Sequence, residues 1–212
     1  MRGDDVKKAV IWDLDGTLFD SYGVIVESIY ETFLSFEICC SREEIHRHAI
    51  CFSIQSLFAE YGKTQNVDVE QLNQTYSQIS SSKYLDIQVM KQGREVLEAL
   101  AERGTENYVF THRGKTTIPV LNHLQLTEFF RDIITSQSGF ARKPDPEGLQ
   151  YLIAKYNLDP ARTYYVGDRR IDMECARNAG ITGVLYMPEH SFDVSGSEKF
   201  RVKSLLDILK IV

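Results

Sequence analysis

The chain has 212 residues, 24 basic and 30 acidic, giving a net charge of −6. Its make-up, 43% hydrophobic, 25% charged and 11% aromatic, excludes a disordered chain, a collagen-like fibre and a disulfide-dense miniprotein. An acidic chain without a basic stripe is poorly suited to a nucleic acid backbone, and no apolar run approaches the ~20 residues of a membrane span. At roughly 150 residues per domain, the length suits one large domain or a domain with a substantial insertion. The charged start, MRGDDVKK, carries no signal-peptide core. Cys39, Cys40, Cys51 and Cys175 make no CxxC. They read as free thiols, so a reducing, cytoplasmic setting is expected.

In chain order, AVIWD at 9–13 is an apolar run ending on a carboxylate, which predicts a buried strand. From Val24 the rhythm changes: Ile25, Ile29, Thr32, Phe33 and Phe36 recur at helical spacing. Further helices are predicted at about 42–49, 53–61 and 69–83. Residues 22–87 hold nine acidic and four basic residues, three of the four cysteines and no proline. This segment reads as a separate helical unit, with Tyr22, Tyr30, Phe33 and Phe36 in its core.

Beyond residue 90 helices and strands alternate. A helix at about 93–103 ends at Gly104. Strands are predicted at 108–110, 133–134, 164–166 and 184–186. Asp145 reads as an N-cap with Pro146 at the first helical position, followed by a stripe of Leu149, Leu152, Ile153 and Tyr156. Ile171, Cys175 and Ala179 belong to a helix closed by Gly180. Residues 191–200 read as polar loop, followed by a short helix around 203–210. Such alternation predicts a parallel sheet covered on both faces, with ligands at the carboxyl ends of its strands.

Polar residues close those strands. Asp13 and Asp15 follow the first, Thr111 the second and Asp168 the fourth. Asp172 lies four residues beyond Asp168, a spacing that shares a helix face. Lys143 precedes the Asp145 helix. Two carboxylates as close as Asp13 and Asp15 repel unless a cation or proton intervenes. One can be a nucleophile and the other a proton donor and acceptor. Oxygen-only ligands point to a hard cation, magnesium before zinc. Four carboxylates against Lys143 leave −3, and one Mg²⁺ brings this to −1. A metal that bridges protein and phosphate is then expected, as in other phosphoryl-transfer sites.

These residues resemble the motifs of the haloacid dehalogenase superfamily, in the branch with phosphoglycolate phosphatase, pyrophosphatase and β-phosphoglucomutase. DLDGTL, Thr111, Lys143 in KPDPEG, and GDRRID with ECARNAG match its four motifs in order. Asp20 matches the acidic residue where this branch's helical cap begins. The resemblance implies an α/β fold: a Rossmann-like parallel sheet core at 1–20 and 88–212, with an inserted α-helical cap at 21–87. It implies a phosphatase for small phosphate monoesters, with Asp13 forming an aspartyl phosphate and Asp15 as acid and base. It implies Mg²⁺ on the Asp13 carboxylate, the Asp15 carbonyl and Asp168, with Asp172 a ligand or a partner of metal waters. Thr111 and Lys143 would bind phosphoryl oxygens. The second Asp argues for phosphoryl transfer over carbon–halogen cleavage.

Two positions depart from the family pattern. His112 stands where Asn is frequent, and is expected beside the substrate phosphate through its side chain or its backbone N–H. Arg169 and Arg170 stand where a small polar residue is frequent. A phosphomutase using the same intermediate is an alternative, as is a non-catalytic binding protein on the same fold. GKT at 114–116 is not a P-loop, because Val109 stands where its first glycine belongs. His46 and His48 do not face together on a helix.

Overall fold

Residues 7–188 and 196–212 are described in a computed structural model of the chain. The first strand, β1 (Ala9–Trp12), is buried at every residue, which is why its sequence is a continuous apolar run. The Trp12 indole N–H donates to Asn107 Oδ1 at 2.9 Å; leaving such a buried donor unpaired costs about 1–3 kcal/mol. A tight loop leads to β2 (Phe19–Asp20). Leu14 O accepts from the amides of Thr17, Leu18 and Phe19, and Gly16 takes a φ of 81° that a side chain would resist.

Four helices follow: α1 (Tyr22–Ser35), α2 (Arg42–Cys51), α3 (Ile54–Gln65) and α4 (Val69–Lys83). The starts of α2, α3 and α4 are capped by the side chains of Ser41, Ser53 and Asp68, which accept from Glu44, Ser56 and Glu70 amides. Such caps are each worth about 1 kcal/mol. Asn66, at a φ of 54°, ends α3. Ile25, Ile29, Phe33, Ile45, Leu57, Phe58 and Leu72 are buried together, with Tyr22, Tyr30 and Phe36 partly buried against them. The segment Ser21–Gln88 is a compact unit with this core of its own.

The remaining strands and α-helices are β3 (Gln88–Val89), α5 (Gly93–Glu102), β4 (Glu106–Phe110), α6 (Thr117–His123), β5 (Phe130–Ile134), α7 (Glu147–Tyr156), β6 (Thr163–Gly167), α8 (Arg170–Asn178), β7 (Thr182–Tyr186) and β8 (Phe200–Val202). β2 and β3 pair with each other, where the chain leaves the sheet unit and re-enters it. The other six form one sheet in the order β5-β4-β1-β6-β7-β8, parallel throughout. The chain builds outward on one side of β1 and then returns to the other. This creates a switch point beside β1, the place where such sheets bind ligands. One core face combines Ile11, Tyr108, Phe110, Leu149, Leu152, Tyr165, Cys175 and Ala176. No helix among the described residues is long and apolar enough to cross a membrane.

Several expectations need correction. α6 had no sequence forecast, and Phe200 starts a strand rather than ending a loop. Residues 191–195 of that expected loop lie outside the described residues. The short helix after it is 3₁₀, over Leu205–Lys210. In α8 the buried residues are Asp172, Met173, Cys175 and Ala176; Ile171 is half-buried. α7 is assigned from Glu147, yet Asp145 Oδ1 accepts from the Glu147 amide at 2.9 Å, the bond an N-cap makes.

Candidate active site

Register sets the site. Trp12 pairs with Val109 on β4 and with Val166 on β6. The chain beyond these rungs carries Asp13, Thr111 and Asp168 to one carboxyl edge. The Asp13 amide donates to Val166 O at 2.8 Å and the Thr111 amide to Ile134 O at 3.0 Å. Both residues are therefore fixed by the sheet itself.

Asp13, Asp168 and Asp172 are buried, and each offers a carboxylate oxygen within 4.8 Å of the others. Lys143 Nζ lies 2.7 Å from Asp13 Oδ1 and 2.7 Å from Asp172 Oδ1. The ammonium also stands 5.3 Å from the Phe110 ring centre and 5.2 Å from that of Tyr165, within cation–π range. Burial alone would lower the Lys143 pKa, but Asp13 and Asp172 together push it up, so it stays charged. Burial raises Asp13 to about 6, against the pull of Lys143 and with the repulsion of Asp172.

Asp168 was expected to share a helix face with Asp172. Instead it precedes α8, and the two meet because Asp172 folds back over Gly167. A Cβ built on Gly167 would stand 2.5 Å from Asp172 Cβ and Cγ, so only glycine admits this approach. Asp172 Oδ2 accepts from the Arg169 amide at 3.2 Å, which is half of a capping box. Its Oδ1 takes both Lys143 and the Tyr165 hydroxyl, the latter at 3.1 Å. Thr17, from the DGT turn, donates to Asp168 Oδ1 at 3.2 Å.

The Asp15 carboxylate stands outside this cluster. Arg113 Nη1 approaches Asp15 Oδ1 to 2.5 Å, with the Phe19 ring centre 5.9 Å from the guanidinium. Arg113 was absent from the sequence forecast, and it changes the local count. Four carboxylates against Lys143 and Arg113 leave −2, which one divalent cation neutralises. Thr111 is buried, and its Oγ1 accepts from the Arg113 amide at 3.1 Å, leaving its hydroxyl proton to donate elsewhere. His112 Nε2 accepts from the Lys143 amide at 2.8 Å. Arg170 pairs with Glu174.

A set of three buried carboxylates offers only hard oxygen donors and fits a hard divalent cation. Residues 10–186 match the family model described as haloacid dehalogenase-like hydrolase. The chain belongs to the haloacid dehalogenase-like hydrolase family. It is 28% identical to a phosphoglycolate phosphatase of Mannheimia succiniciproducens, over 97% of this chain and 98% of that one. It is 25% identical to the pyrophosphatase PpaX of Listeria monocytogenes, over 96% and 95% of the two chains. A crystal structure from Haemophilus somnus, of a predicted phosphoglycolate phosphatase, superposes with a TM-score of 0.83. It shares 21% identity and 99% coverage of both chains.

Proposed function

We propose that this hydrolase is a magnesium-dependent phosphatase of small phosphate monoesters, working through an aspartyl phosphate on Asp13. One observation carries the reading: a buried lysine spans Asp13 and Asp172 at the sheet's switch point, while a second carboxylate, Asp15, is held apart by Arg113. Separate surroundings give two nearby carboxylates separate tasks. The relatives named for phosphoglycolate and pyrophosphate hydrolysis support the same class of chemistry.

In the first half-reaction an Asp13 oxygen bonds to phosphorus as the ester P–O bond breaks, and Asp15 protonates the leaving oxygen. In the second, Asp15 takes a proton from water as that water attacks the aspartyl phosphate, returning Asp13 and releasing phosphate. Thr111 and Lys143 bind phosphoryl oxygens, and Lys143 offsets the charge beside the nucleophile. The Asp13 carboxylate, the Asp15 carbonyl and Asp168 would hold magnesium, which would supply positive charge against the phosphate dianion. Asp172, whose two oxygens already accept from Lys143, Tyr165 and the Arg169 amide, orients the lysine. Arg113 Nε is buried with no hydrogen-bond partner. It is a donor suited to an anion beside Asp15.

Phosphate release from a panel of esters, with magnesium or with chelator, tests the reading. Turnover is expected only with magnesium, and Asp13→Asn should lose more than ~10³-fold, the scale on which covalent catalysts lose their nucleophile. Full turnover in excess chelator, or a tenth of the wild-type rate in Asp13→Asn, would overturn it.

A further inference from the structure

His112 was expected at the substrate phosphate, but its Nε2 points elsewhere. That nitrogen lies 2.8 Å from the Lys143 amide nitrogen. A backbone N–H can only donate, so Nε2 is an acceptor and the ring's proton is on Nδ1. We infer that His112 is a positioning residue, whose Nε2 anchors the backbone of Lys143 and thereby sets the ammonium that spans Asp13 and Asp172. The geometry stands on its own; the consequence for catalysis rests on the phosphatase reading.

Lys143 needs such an anchor. It lies between β5 and α7 in a stretch with neither helix nor strand, so no ladder fixes its backbone. The next residue, Pro144, has no N–H to tie down. A small swing at the Lys143 Cα is amplified along its four-carbon stem. His112, by contrast, directly follows Thr111, whose amide is locked to Ile134 O at 3.0 Å. The imidazole thus carries the register of the sheet across to a loop 31 residues further along the chain. Misplacing a catalytic group by about 1 Å can cost on the order of 10²-fold in rate.

The ring suits this task. Burial, with Lys143 and Arg142 nearby, lowers its pKa to about 3. An imidazole in that setting keeps a lone pair on Nε2 throughout the neutral range, where a protonated one would present a second donor to the Lys143 N–H.

Three variants separate the possibilities. His112→Phe keeps a ring and removes the acceptor. His112→Gln places Oε1 about as far from Cα as Nε2, and so restores it. His112→Asn reaches only as far as Nδ1. The readouts are kcat and KM for p-nitrophenyl phosphate with magnesium, together with melting temperature. His112→Phe is expected to lose about 10- to 100-fold in kcat with KM changed less than about threefold, because no substrate contact is removed. His112→Gln should recover most of that loss, and His112→Asn should not. Wild-type kcat in His112→Phe would overturn the inference. So would a loss confined to KM, or Asn rescuing as well as Gln. If His112→Phe fails to fold, the comparison of Gln with Asn decides. If the wild type shows no magnesium-dependent turnover, the phosphatase reading fails separately, and the ¹⁵N spectrum of the ring at pH 7 decides this one. An unprotonated Nε2 supports the anchor, and a protonated Nε2 excludes it.

Discussion

At Asp13, burial and charge pull in opposite directions. Its pKa in the fold is about 6 against an ordinary 3.8, with burial the largest cause. An acid with a raised pKa binds its proton more tightly when folded. The fold therefore bears the cost of the buried charge above pH 6, bears less of it as pH falls, and bears none below about 4. Asp13→Asn carries no such cost at any pH. In chelator, its melting temperature should exceed that of the wild type at pH 7.5, and the gap should close toward pH 4.5. A gap that stays constant across that range would show that Asp13 does not titrate there. Other features at this scale were hidden from sequence for a plain reason. Arg113 meets Asp15 across 98 residues, and the Tyr165 hydroxyl reaches both Phe110 O and Asp172. Neither contact leaves a periodic trace in the chain. Asp13, Asp15, Asp168 and Lys143 were legible because each sits just past an apolar run or shortly before a helix, and Asp172 because it follows Asp168 by four residues.

The elements that sequence reveals are those whose burial is uniform or periodic. β1 is apolar throughout, and α4 spans Val69–Lys83, the bounds its pattern predicts. The two-residue strands β2 and β3 escaped for want of length, and so did two longer elements. α6 is seven residues long and contains Pro119, too short to complete a periodic stripe. β8 is three residues with two exposed, so it shows neither alternation nor an apolar run. The junction of β6 and α8 is a third case. The spacing of Asp168 and Asp172 suggested one helix face, but the contact depends on a strand ending in glycine just before the turn. Gly167→Ala should force Asp172 away from Lys143, because the added Cβ meets Asp172 Cβ and Cγ at 2.5 Å. Activity is expected to fall at least about tenfold, with destabilisation of roughly 1–3 kcal/mol from overpacking. Kinetics and thermal melts check this; unchanged kcat and melting temperature would show that Asp172 has room to retreat without consequence.

On the scale of the whole molecule, every residue proposed for chemistry lies outside Ser21–Gln88. That segment packs its own cluster around Ile29, Phe33 and Phe58, while the sheet unit packs another around Ile11, Tyr108 and Tyr165. Replacing 22–87 by a short glycine-serine loop should leave the sheet unit folded, with weak magnesium-dependent activity on small generic esters. It should lose discrimination among larger panels, as measured by kcat/KM after circular dichroism confirms the fold. An unchanged substrate ranking in the folded, shortened chain would show that the helical segment does not select substrates. The paired strands β2 and β3 carry a further consequence, for descent. Because the excursion leaves and returns through adjacent strands, its two ends stay side by side at the sheet unit whatever its length. Lineages can lengthen, shorten or exchange what lies between Asp20 and Val89 while Asp13, Thr111 and Asp168 keep their rungs. Should the shortened chain lose its substrate ranking as expected, the reaction and the choice of what undergoes it are free to evolve on separate clocks.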